Sequence, residues 1–123
     1  MSGFTQKEVE YLREQRLGRL ATVSASGRPH VVPVGFRVDP EFGVVDIRGR
    51  DMARTKKFRD VAQTGRVAFV VDDVLPPWRA RGVEVRGRAE VLGDESIWIF
   101  PERIVGWGID PDARGPNARS VAR

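Results

Sequence analysis

Arg48-Gly49-Arg50-Asp51-Met52-Ala53-Arg54-Thr55-Lys56-Lys57-Phe58-Arg59-Asp60 is the stretch on which the reading of this chain turns. It reads as the end of a strand, a tight turn and then a helix that starts near Asp51 and runs to about Ala62. Gly65 stops the helix, as glycine commonly does just past a helix end. Asp51 is the expected N-cap, because its carboxylate can accept from the first free backbone N–H groups. At about 100° per residue, Arg54, Lys57, Phe58 and Val61 share a face. Phe58 and Val61 are its core-facing members, and Arg54 and Lys57 extend it towards the helix start. Lys56, Arg59 and Asp60 are expected to point to water. Cations crowd the positive end of the helix dipole here, against the usual preference. Such local violations cluster at functional sites. A bound anion would resolve this one, since free N–H groups, dipole and basic side chains would all face it. A solvated basic helix without a ligand is the alternative.

Outward from this stretch, the chain predicts a small β-rich domain. With 123 residues and 41% hydrophobic content, it is long enough for one core. Thr5-Gln6-Lys7-Glu8 has capping-box spacing, with Phe4 placed as a hydrophobic staple, so a helix to about Gln15 is expected. Val9, Leu12 and Tyr11 would face inward. Strands are expected at Leu17–Ala25, His30–Val38, Val44–Arg48, Arg66–Asp72, Gly82–Leu92, Ile97–Phe100 and Ile104–Ile109. Ser26-Gly27 marks a hairpin, Asp39 to Gly43 a turn, and Pro101-Glu102-Arg103 another turn. The apolar run Val67–Val71 suggests a strand buried on both faces. Pro33 and Gly35 interrupt the second strand, which implies a broken ladder and a close approach by backbone or ligand. Residues 1–110 are read as a single domain and 111–123 as a frayed, flexible tail. Six or seven strands with two short helices and hairpin connections point to a small β-barrel or sandwich.

Composition excludes several chemistries. With no cysteine and a single histidine, His30, disulfides, thiolate sites and paired-histidine zinc sites are out. No nucleophile elbow surrounds His30. No long apolar run or signal-like N-terminus is seen, so no membrane partner and a cytoplasmic location are expected. The net charge of +4 favours anionic partners in general. Nucleic acid is not expected, because the aromatics are scattered and mostly in core register rather than interleaved with basic residues on one face.

Four segments carry a family resemblance: Leu17-Gly-Arg-Leu-Ala-Thr-Val-Ser24, Gly27-Arg-Pro-His-Val-Val-Pro-Val-Gly-Phe36, Arg50-Asp-Met-Ala-Arg-Thr-Lys-Lys57 and Val85-Arg-Gly-Arg-Ala-Glu-Val91. They resemble the pyridoxamine-phosphate-oxidase-like superfamily, and within it the branch of coenzyme F420-dependent oxidoreductases. The resemblance covers about residues 5 to 109. It implies a split β-barrel, mainly β with two short helices, acting as a homodimer with cofactor grooves between subunits. The cofactor phosphate would rest at the second helix, on Arg54, Lys56 and Lys57 with Thr55 hydrogen bonding. The ring would lie along Pro33, Val34, Gly35 and Phe36 and the strand end Ile47, Arg48, Gly49 and Arg50. Trp78 of the facing subunit would form a wall. The implied cofactor is F420, with FMN as the alternative, and the implied reaction is hydride transfer between the deazaflavin and a small organic substrate. No catalytic side chain is assigned. A non-catalytic flavin-, haem- or tetrapyrrole-binding protein is the competing function, with His30 as the axial ligand in the haem case.

Overall fold

The computed structural model describes residues 3–122. Helix α1 (Gln6–Glu14) is closed by the expected capping box: Thr5 Oγ1 accepts the Glu8 N–H at 3.1 Å, and Glu8 Oε1 accepts the Thr5 N–H at 2.9 Å. Its stripe of Val9, Tyr11 and Leu12 is buried, with Phe4 packed beside it. Strands β1 (Leu17–Val23) and β2 (Pro29–Gly35) form a hairpin. The chain continues through β3 (Arg37–Asp39), β4 (Val44–Arg48), a single 3-10 turn (Met52–Arg54) and helix α2 (Lys56–Thr64). It ends with β5 (Arg66–Leu75), β6 (Arg79–Leu92), β7 (Ser96–Trp107) and β8 (Asn117–Ser120). Every strand pairing is antiparallel, in the order β2-β1-β5-β6-β7-β4-β3, with β8 on the other half of β7.

Four expectations are corrected. The expected strand His30–Val38 is two strands. β2 stands at one edge of the sheet and β3 at the other, with Phe36 alone between them. One residue cannot cross a flat sheet, so the sheet curls until its two edges meet at Phe36. Hydrogen bonding lapses there, between β2 and β3, and leaves a seam. No turn forms at Pro101–Arg103, because Ile97 to Trp107 is one strand. Pro101 sits opposite Gly87 at a register shift, a position that tolerates a missing N–H. A side chain at Gly87 would run into the Phe100 carbonyl. β5 is not buried on both faces: Val67, Phe69 and Val71 face the core, while Ala68 and Val70 are half-exposed on the outside. The expected frayed tail is ordered over 117–120. There β8 pairs with Arg103 to Gly106, and Arg119 donates to the Gly3 carbonyl and to both carboxylate oxygens of Glu8. Glu8 is 3% exposed, so backbone pairing and one buried ion pair hold a segment that has little apolar content.

The core is a single cluster inside the curl. Leu20, Ile47, Phe69, Val83, Val85, Ile97, Ile99 and Ile104 form its centre, with Leu12, Met52 and Val61 brought by the helices. Burial of each such side chain contributes about 1.5–3 kcal/mol relative to exposure. Along β6, Val83, Val85 and Ala89 are buried, Arg86, Arg88 and Glu90 are exposed, and Glu84 and Val91 are half-buried.

Candidate functional site

The seam opens as a cleft of about 260 Å³ lined by Gly35, Phe36, Arg37, Asp46 and Arg48. Three residues expected beside a ring, Gly35, Phe36 and Arg48, therefore meet in one place. Phe36 is anchored edge-on to Phe69, with ring centroids 5.3 Å apart. Gly35 has open space where a Cβ would stand, so the backbone is bare at the cleft. Val34 and Ile47 turn their side chains into the core. They can offer only main chain to a ligand. Pro33 is exposed on β2, and Gly49 and Arg50 are exposed just after β4.

Asp46 was missed by the sequence reading. Its side chain is 6% exposed, and Oδ2 accepts from Arg48 Nε at 3.1 Å, with an Arg37 nitrogen at 3.9 Å. One buried carboxylate thus gathers two exposed guanidinium groups at the cleft. The available signal was an acid interrupting the apolar run Val44-Val45-Asp46-Ile47, two residues before an arginine.

At the helix start the capping differs from expectation. Asp51 adopts a left-handed conformation (φ 51°) and its side chain makes no cap hydrogen bond. The Met52–Arg54 turn intervenes, and Thr55 is the N-cap of α2. Its hydroxyl accepts the Phe58 N–H at 3.3 Å and donates to the Met52 carbonyl at 2.7 Å. With both functions used, that hydroxyl is engaged by the fold. Asp60, expected in water, is 2% exposed. It accepts from Thr22 Oγ1 at 2.8 Å and from Lys56 Nζ at 3.0 Å. Burial alone would raise the Asp60 pKa, but the Thr22 and Lys56 bonds outweigh it and hold the carboxyl below its ordinary value. Lys56 is therefore neutralised by an acid one turn on. Lys57 is half-buried, and its burial lowers the ammonium pKa. Among the described residues, no acid lies within ion-pair distance of Arg50, Arg54 or Lys57. Phe58 packs against the core and Val61 is inside it, as the helical face required. Arg54 belongs to the 3-10 turn, and its side chain is exposed.

Trp78 is 79% exposed at the tip of the β5–β6 hairpin. The stem below is braced by a group that the sequence reading also missed. Tyr11 donates to Asp73 at 2.7 Å, Arg81 forks onto the same carboxylate at 3.0 and 2.7 Å, and the guanidinium lies 4.8 Å over the Tyr11 ring. Arg81 chiefly, then Tyr11, hold the Asp73 carboxyl below its ordinary range, and burial pushes the Tyr11 hydroxyl up. On the outer face of β1 and β2, Leu17 and Val31 are 54% and 66% exposed. His30 is half-buried beside Thr22, with Nδ1 unpartnered. No metal-ligating cluster and no helix long and apolar enough to cross a membrane occur among the described residues.

A family model described as pyridoxamine 5'-phosphate oxidase matches residues 4–123. The chain is 51% identical over 132 residues to the 5a,11a-dehydrotetracycline/5a,11a-dehydrooxytetracycline reductase of Streptomyces rimosus subsp. rimosus, covering 96% of this chain and 93% of that protein. Among solved structures it resembles the General Stress Protein 26 of Bacillus anthracis str. Sterne, with TM-score 0.71 and 19% identity over 94% of this chain and 97% of the other. It also resembles an FAD binding protein of Mycobacterium smegmatis, with TM-score 0.68 and 25% identity over 84% and 92% of the two chains. The architecture is thus the split barrel expected from the sequence, mainly β with two short helices.

Proposed function

Because the chain belongs to the pyridoxamine 5'-phosphate oxidase family, we propose that it is a reductase that uses coenzyme F420 to reduce a conjugated carbon–carbon double bond in a fused-ring organic substrate. FMN is the alternative cofactor. The observation that carries the reductase assignment is the likeness, over almost the whole chain, to a reductase whose substrate is a dehydrotetracycline. Two features of the fold support a phosphorylated ring cofactor. Among the described residues, Arg50, Arg54 and Lys57 lie without acidic partners around the start of α2, where a helix presents free N–H groups to an anion. The seam cleft supplies bare backbone at Gly35, the Phe36 ring and the Arg48 guanidinium for a flat ring system.

When bound, the reduced deazaflavin or flavin supplies the hydride; the substrate gains it at one carbon and a proton at the neighbouring carbon. The chain's own work is binding and orientation. Lys57 and Arg54 hold the phosphate, with Lys56 shared between the ligand and Asp60. Thr55 serves by capping the helix that presents these groups, because its hydroxyl is already engaged. Arg48 sets positive charge at the ring edge, where the reduced, anionic ring is favoured. The main chain of Pro33, Val34, Gly35, Ile47 and Gly49 borders the ring. The protein works as a homodimer, which the exposed Leu17 and Val31 on the outer sheet face support. Trp78 of the partner subunit walls the substrate side.

The test is a titration of the purified protein with F420 and with FMN, following tryptophan fluorescence at low and high salt. Saturable F420 binding tighter than FMN, weakened by salt, is expected. Preference for FMN would move the protein to the flavin side of the family with the same site. Absence of binding to either overturns the cofactor assignment.

A further inference from the structure

The outer face of β4 carries an acid whose support comes from a neighbouring strand. Val45 and Ile47 turn into the core, so Val44, Asp46 and Arg48 point outward. On β7, Ile97 and Ile99 face the core, which puts Ser96, Trp98 and Phe100 on the outside. Asp46 and Trp98 are direct partners in the β4–β7 register. Their side chains therefore stand side by side on one face of the sheet.

Asp46 Oδ2 is the oxygen used at the cleft, where it accepts from Arg48 Nε at 3.1 Å. Oδ1 is sealed from solvent and has no donor, and Trp98 Nε1 is sealed from solvent and has no acceptor. Buried polar atoms without partners are costly, and native folds retain few of them. These two are complementary, since an indole N–H only donates and a carboxylate only accepts. We propose that Trp98 is a positioning residue: a small rotation of the indole or the carboxylate lets Nε1–H donate to Asp46 Oδ1, which fixes the carboxylate with Oδ2 towards Arg48. The Trp98 ring is itself held, with the Phe42 and Phe100 ring centroids 6.0 and 6.4 Å away. Phenylalanine at position 98 would fill the same aromatic cluster; what tryptophan adds is the N–H. Support thus runs from the aromatic cluster through Trp98 and Asp46 to the Arg48 guanidinium at the cleft. The hydrogen bond stands on the fold alone, while its effect on cofactor rests on the site proposed above.

One competing acceptor flanks the indole. Glu90 is the partner of Trp98 on the other side, across β6 and β7. Glu90 is exposed and its carboxylate is hydrated, whereas Nε1 is sealed from water, so Asp46 is the favoured partner.

Two measurements on the full chain test the proposal. The first follows hydrogen exchange of the three tryptophan indole N–H groups by NMR, with Trp98 assigned by the signal lost in Trp98→Phe. In wild-type protein Trp98 should exchange far more slowly than the exposed Trp78. Asp46→Ala should speed Trp98 exchange at least about tenfold, the scale of one hydrogen bond to a charged acceptor, and leave the Trp107 signal within about twofold. Wild-type Trp98 exchange as fast as that of Trp78 overturns the bond without any variant having to fold. So does acceleration by Glu90→Ala in place of Asp46→Ala. The second is a cycle of F420 and FMN titrations with Trp98→Phe, Arg48→Ala and the double variant. Trp98→Phe should weaken binding about threefold or more when Arg48 is present, and by less than about twofold when it is alanine. Additive losses, or no loss in Trp98→Phe, overturn the positioning role. Failure of wild-type protein to bind either cofactor overturns the cofactor site and with it the part of Trp98 in binding; the exchange result then still decides the bond.

Discussion

Lys56 and Lys57 are adjacent in sequence, yet replacement by alanine should destabilise the protein at Lys56 and not at Lys57. Lys56 Nζ reaches both oxygens of Asp60, at 3.0 and 3.1 Å. Asp60 is 2% exposed, and Thr22 Oγ1 is its other side-chain donor. Removing Lys56 leaves a buried carboxylate on one hydrogen bond. The usual cost of stripping a partner from a buried charged group is about 1–3 kcal/mol. The Lys56 side chain is 41% exposed, so water takes up part of the loss and the low end applies, about 1.5 kcal/mol. For a chain of this size that is a fall in Tm of roughly 5–9 °C. Lys57 has the opposite balance. Its ammonium is partly desolvated, has no acidic partner among the described residues, and sits in the first turn of α2, where the dipole repels it. Lys57→Ala should therefore leave stability unchanged or raise it by up to about 0.5 kcal/mol. Cofactor binding should reverse the ranking. Loss of one charge-assisted contact to a phosphate is worth about 1.5–3 kcal/mol, or roughly 10- to 100-fold in affinity. Thermal unfolding followed by circular dichroism, and F420 titration of the same two variants, give both readouts. A Lys57→Ala protein that melts as early as Lys56→Ala would make Lys57 a structural residue. Unchanged F420 affinity in Lys57→Ala would remove the anion site.

Three other outcomes follow from the packing. Arg119→Ala should lower stability by about 2–3 kcal/mol in urea denaturation, because it strands the buried Glu8 carboxylate; Glu8→Gln in the same protein should recover part of the loss. Gly87→Ala should cost about 2 kcal/mol or more, since the added methyl meets the rigid Phe100 carbonyl; a change below about 0.5 kcal/mol would mean that the bulge relaxes. Acid should unfold the protein through Asp60 and Asp73. Both carboxyls are held below their ordinary value of 3.8 in the fold, so their stabilisation is complete above that value and is lost as pH falls beneath it. Asp73→Asn should be less stable than wild type near neutrality and show a shallower loss below pH ~4.

Much of the fold was legible because local and long-range signals agreed. The capping box at Thr5 and Glu8, the hairpin at Ser26-Gly27 and the alternation of Val83, Glu84, Val85 and Arg86 each have one sensible structure. What escaped depends on partners far along the chain. Pro33 and Gly35 marked a broken strand, but nothing local says that the next three residues join the opposite edge of the sheet. Asp51 and Thr55 are both good caps, and the choice fell to Thr55 because the intervening Met52 has to enter the core. Asp60 sits on the polar side of a helical wheel, and its burial needs the folded position of Thr22 as well as the local Lys56. In the candidate site, Gly35, Phe36 and Arg48 line one cleft. Asp46 was invisible because a buried acid is recognised by its neighbours, here Arg37 and Arg48, rather than by its own type.

The Glu8–Arg119 pair also sets the order in which this protein can be made. The two residues lie 111 positions apart, and no other cation is paired with Glu8 among the described residues. Helix α1 leaves the ribosome first, carrying a carboxylate destined for the interior, and its counter-ion is synthesised more than a hundred residues later. Until then, docking α1 against β7 would bury an unpaired charge, so the helix gains little by closing early. Folding during synthesis is thereby biased towards waiting. The hairpins can assemble as they emerge, while the final seating of α1 is deferred until residue 119 is free to reach it. A chain truncated before residue 119 should have α1 undocked and open to protease, and the chain that includes Arg119 should protect it.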